Sequence, residues 1–62
     1  MKILRLNKNI YSEHAIKQTI EDFKNVCNCG FVEESRFFKI KINSKEEYAD
    51  KEFANYVLAL MK

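Results

Sequence analysis

The spacing of apolar residues changes along this chain from alternating to helical and back, and the changes of rhythm mark five elements. Lys2–Asn7 (KILRLN) is short, apolar-rich and followed by polar Asn7, Lys8 and Asn9, the signature of a first strand. Ser12 is placed to cap a helix, with Tyr11 before it and Ile16 after it at the spacing of a hydrophobic staple. From Glu13 to about Val26 the apolar residues Ile16, Ile20, Phe23 and Cys27 recur at helical spacing, flanked by Ala15, Thr19 and Val26. That arc spans roughly 140°, so the helix buries one side and wets the other. Asn28 and Gly30 punctuate its exit. Phe31–Glu34 and Arg36–Ile42 then read as two strands joined by a tight turn at Glu34, Ser35 and Arg36. In the second, Phe38, Ile40 and Ile42 fall on one face and Phe37, Lys39 and Lys41 on the other. Ser44 and Glu47 have the spacing of a capping box, which predicts a second helix from about Lys45 to the C-terminus.

The order βαββα with both helices on one face leaves one economical sheet. β3 lies between β1 and β2, antiparallel to each, giving an α+β two-layer sandwich of strand order 1-3-2. Such a sheet exposes two strand edges and one whole face.

Composition narrows the class of protein. A chain of 62 residues holds one hydrophobic core, and an apolar fraction of 47% is enough to fill it. The net charge of +2 comes from eleven basic and nine acidic residues interspersed along the chain, so electrostatics alone names no partner. No targeting sequence and no apolar run near the roughly 18 residues of a membrane span is present, which predicts a complete, cytoplasmic chain with no membrane partner.

Chemistry-bearing residues are sparse. Cys27 and Cys29 could together hold a soft ion such as Cu(I), but they lack the further ligands a zinc site needs. Side chains two apart on an extended segment stand about 7 Å apart, so a bridge between them would be strained and packing of reduced thiols is expected. His14, in the first turn of the first helix, has no nucleophile or carboxylate partner in sequence. Glu33 and Glu34 point to opposite faces, and a single glycine cannot build a phosphate loop. The expectation is a protein that is not an enzyme and carries no cofactor or metal.

Two surfaces invite partners instead. In the second helix Ala49, Phe53, Tyr56, Val57 and Leu60 form the expected core stripe, while Ala54, Leu58 and Met61 widen the apolar arc to roughly 200°. The second stripe predicts docking of another protein, a peptide or a second copy of the chain. The face bearing Arg36, Phe37, Lys39 and Lys41, with Arg5 beside it, combines cations with an aromatic plane and supports an alternative reading as a nucleic-acid platform.

Ile10-Tyr11-Ser12 leading into Ala15-Ile16 and Ile20, the strand Phe37-Phe38-Lys39-Ile40, and the closing Glu52-Phe53-Ala54-Asn55 with Leu58 resemble the small D-component family of the His-Xaa-Ser peptide-maturation system. Tyr11-Ser12 and Phe53-x-Asn55 are its distinctive parts. The resemblance implies a non-catalytic accessory protein working beside a radical S-adenosylmethionine enzyme in ribosomal peptide maturation. It assigns no active residue.

Overall fold

The computed structural model describes all residues, 1–62, and its elements follow in the order β1 (Lys2–Asn7), α1 (Glu13–Phe23), β2 (Asn28–Glu33), β3 (Phe37–Asn43) and α2 (Ala49–Leu60). The three strands form one antiparallel sheet in the order β1-β3-β2. Register sets the two faces. Leu4, Ile40 and Phe31 share one cross-strand row, and Leu6, Phe38 and Glu33 the next; Arg5, Lys39 and Val32 make up a row of the opposite face.

The helices lie on the Leu4–Ile40–Phe31 side, α2 against β1 and α1 against β2. Between them sit Ile16, Ile40, Ile42, Phe53 and Val57, all fully buried. Phe23 of α1 meets Phe53 edge-on at 5.5 Å between ring centres, and Phe31 stacks on Phe38 at the same separation. These contacts are the aromatic share of the core. Thr19 is the one buried polar side chain, and its hydroxyl donates to the Ala15 carbonyl one turn earlier at 2.8 Å, so burial leaves no open donor. Where the helices stop short of the sheet's end, lysine stems take over. Lys8 lies over Phe38 and pairs with Glu33 at 2.7 Å, and Lys17 lies over Phe31.

Element ends depart from the sequence expectation by more than two residues at three places, each for a backbone reason. α1 stops at Phe23 rather than Val26, because the Phe23 carbonyl accepts from both the Val26 and Cys27 amides and closes a tight turn. Val26 is thereby left 63% exposed, while Cys27 drops into the core. β2 consequently begins at Asn28, three residues early, and Gly30 lies inside the strand instead of before it.

The third departure is the start of α2. Ser44 and Glu47 make no capping box; the Ser44 hydroxyl accepts from the Glu46 amide two residues on, a local turn that competes with helix. α2 starts only at Ala49, with Tyr48 at its N-cap supplying no side-chain hydrogen bond. Lys2 from β1 takes over part of the work, donating to the Glu47 carbonyl and standing 3.5 Å from Asp50 in the first turn. At α1 the expected cap is present: Ser12 Oγ accepts from the Ala15 amide at 3.3 Å, and Tyr11 packs against the core beside it.

Candidate interaction surfaces

Phe53 and Val57 fix the rotation of α2 by pointing into the core, and every other residue of the helix follows from 100° per residue. Tyr56 turns toward α1. Its ring stands edge-on to Phe23 at 5.2 Å, and its hydroxyl donates to the Asp22 carboxylate at 2.6 Å. This hydrogen bond, then partial burial, then the negative charge of Asp22 raise the phenol above its ordinary value. Leu58 lies roughly 160° around the helix from Tyr56, on the flank away from α1.

Ala54, Leu58 and Met61 share that flank at i, i+4, i+7 spacing. The structure divides the three. Ala54 is half-buried and packs against the core, whereas Leu58 and Met61 keep 38% and 39% of their surface exposed. Two residues expected in the core stripe also prove to be exposed: Tyr56, held at the α1 seam, and Leu60, 42% exposed at the C-terminal end of α2. Leu60 and Met61 border a cleft of about 380 Å³ whose other wall is Ser12, His14, Ala15 and Gln18 of α1. Because α2 covers β1, an edge strand, the Leu58 flank and the free backbone edge of β1 lie on the same side of the molecule.

The uncovered face of the sheet holds Phe37, Lys39 and Lys41 as expected, and adds Ile3, Arg5 and Val32 from the flanking strands. Ile3 and Val32 are half-exposed apolar side chains, at 50% and 43%. Alternation within β1 was the available signal for Ile3 and Arg5, since Leu4 and Leu6 point to the core. Arg36 is not part of the face. It precedes β3 in the turn, where its carbonyl accepts from the Lys8 amide at 3.0 Å.

The cysteine pair corrects the distance expected from an extended segment. Cys27 Sγ and Cys29 Sγ are in contact at 3.4 Å, because Cys27 still belongs to the turn that closes α1 and its side chain converges on that of Cys29. Both are free thiols. Burial first, and the contact with Cys27 second, push the Cys29 thiol up to about 12, so it stays protonated at neutral pH and is a poor nucleophile. His14 is exposed at the start of α1. No group of three or more His, Cys, Asp or Glu side chains converges to hold a metal ion, and no helix is long and apolar enough to cross a membrane.

No family model, curated protein or solved structure matches the chain.

Proposed function

We propose that this chain is a non-catalytic accessory domain that docks a protein partner on the outer flank of α2, in the service of a radical S-adenosylmethionine enzyme of ribosomal peptide maturation. The observation that carries the reading is the apolar end of α2. Leu58, Leu60 and Met61 each keep more than a third of their surface in water, on a helix whose core side is already filled by Ala49, Phe53 and Val57. Fully burying a leucine stabilises by roughly 1.5 to 3 kcal/mol, and the exposed part of each side chain is the share that another surface can still cover here. The adjoining edge of β1 offers backbone groups for an added strand of the same partner. The pathway rests on the resemblance of the Tyr11-Ser12 and Phe53-x-Asn55 segments to the D-component family.

The test is co-expression with a radical S-adenosylmethionine enzyme of a His-Xaa-Ser peptide-maturation system, followed by purification of the complex. Leu58→Lys should leave a folded domain with an unchanged circular dichroism spectrum and abolish co-purification. Concentration-dependent dimerisation lost in the same variant would make the occupant of the flank a second copy of the chain. A parent that stays monomeric at high concentration and forms no complex with the enzyme overturns the reading.

A further inference from the structure

The open face of the sheet is a second surface, independent of α2, and its charges are arranged at a cost to the free protein. Arg5 and Lys39 are directly opposite one another across the β1–β3 ladder. Like charges in that position repel and destabilise a sheet. The nearest acid, Glu34, reaches only Arg5, at 3.6 Å, and neither Lys39 nor Lys41 lies within ion-pair distance of any carboxylate. The three cations therefore form a patch with little internal compensation.

Two further features shape the patch. Ile3, Val32 and Phe37 expose apolar surface around the cations, 50%, 43% and 38% respectively. Gly30, opposite Lys41 in the next strand, leaves the surface low at that point. Neither crowding nor backbone strain demands a glycine there: a Cβ would meet only Lys41 Cβ at an ordinary 3.7 Å, and the residue does not have positive φ. A strand-interior glycine is often a place where a ligand or another backbone approaches closely, and the unbroken register of β2 with β3 leaves no bulge to account for Gly30.

We infer that the open sheet face binds an acidic amphipathic helix of a partner protein, its carboxylates on Arg5, Lys39 and Lys41 and its apolar side chains on Ile3, Val32 and Phe37. Charge complementarity selects an acidic occupant. The aliphatic surroundings select protein over nucleic acid, because a single-strand platform works by stacking bases on aromatic rings and this face supplies one ring, Phe37. A helix is the element that packs on a sheet face, as α1 and α2 do on the other side.

The probe is a fluorescein-labelled 18-residue peptide with leucine at helical i, i+3, i+4, i+7 spacing and glutamate elsewhere, followed by anisotropy at 150 mM salt. The expected dissociation constant is roughly 10 to 100 μM, the range of small transient interfaces. Lys39→Glu with Lys41→Glu should weaken binding at least tenfold and turn preference toward the matching lysine–leucine peptide. Gly30→Val should weaken it similarly without lowering Tm, since valine suits a strand and only fills the low point. Leu58→Lys should leave this binding unchanged, which separates the face from the flank of α2. Lys39→Glu alone should raise Tm by about 2 to 4 °C by replacing repulsion across the ladder with attraction to Arg5. The inference is overturned by no binding at millimolar peptide, by equal binding of a scrambled or lysine–leucine peptide to the parent, by tighter binding of a 20-nucleotide uridine strand, or by a lower Tm for Lys39→Glu.

Discussion

The two helices lean on the same sheet and share one aromatic seam, yet they close their outer surfaces differently. α1 buries Ala15, Ile16 and Thr19 and covers its outward side with polar residues in mutual contact: Lys17 with Glu13 at 3.1 Å, Gln18 with Asp22 at 2.9 Å, Lys24 with Glu21 at 2.7 Å. α2 buries Ala49, Phe53 and Val57, is polar outside through Asp50, Lys51, Glu52 and Asn55, and turns apolar toward its end, where Leu58, Leu60 and Met61 meet water. A helix whose sole task is to roof a sheet resembles α1. The contrast is what the proposed docking on α2 draws on, and it is local to the C-terminal half of the helix.

The largest effect that can break the comparison lies at Phe53, which is fully buried and touches the Phe23 ring across the helix seam. Phe53→Ala should cost about 3 to 5 kcal/mol, comparable to the whole stability of a domain this small, and should leave most of the chain unfolded at 25 °C. Leu60→Ala, four-tenths exposed on the same helix, should cost under about 1 kcal/mol. Urea unfolding followed by circular dichroism measures both. Comparable losses would place Leu60 in the core and remove it from the exposed end of α2.

Capping gives the next largest difference. Ser12 holds the first turn of α1 through the Ala15 amide, whereas Ser44 bonds only the Glu46 amide, outside α2. Ser12→Ala should lower stability by about 1 kcal/mol and Ser44→Ala by less than about 0.5 kcal/mol, read from the shift of the urea midpoint at constant slope. Equal losses would mean that Ser44 caps α2 in solution.

That pair also shows where sequence reasoning reaches and where it stops. Ser12 with its hydrophobic staple and Ser44 with its capping-box spacing are both helix-start signals, and both are local. What decides between them is tertiary: Lys2, more than forty residues away, holds the Glu47 carbonyl and stands beside Asp50, and the helix begins between the two, at Ala49. The strand order, the facing of Phe38, Ile40 and Ile42, and the burial of Phe53 and Val57 were legible because periodicity encodes them. The exposure of Leu60 and Tyr56 was not, because helical spacing gives the direction of a side chain but not whether sheet lies beneath it. The contact between Cys27 and Cys29 was hidden for a similar reason, since it depends on where α1 stops. The open sheet face was half legible: β3 announced Phe37, Lys39 and Lys41, while Ile3, Arg5 and Val32 joined them only once register was known.

The smallest effect probes the seam where the two helices meet. Tyr56 of α2 donates its hydroxyl hydrogen to Asp22 of α1, and ionising the phenol would both break that hydrogen bond and set two anions side by side. Its folded-state value therefore lies above the ordinary 10.0, for the hydrogen bond first and burial and charge after it. A group that loses a proton less readily when folded contributes stability that is fully present below its unfolded value and fades as pH rises through the folded one. The stability difference between the parent and Tyr56→Phe should thus be constant from pH 7 to about 9 and shrink above pH 10. Tyrosinate absorbance near 295 nm should show a late-titrating component that vanishes in Tyr56→Phe. Absence of that component would mean that the link between Tyr56 and Asp22 does not persist in solution. α2 would then be free to turn its aromatic flank outward, and Leu58 would no longer be confined to the side away from α1.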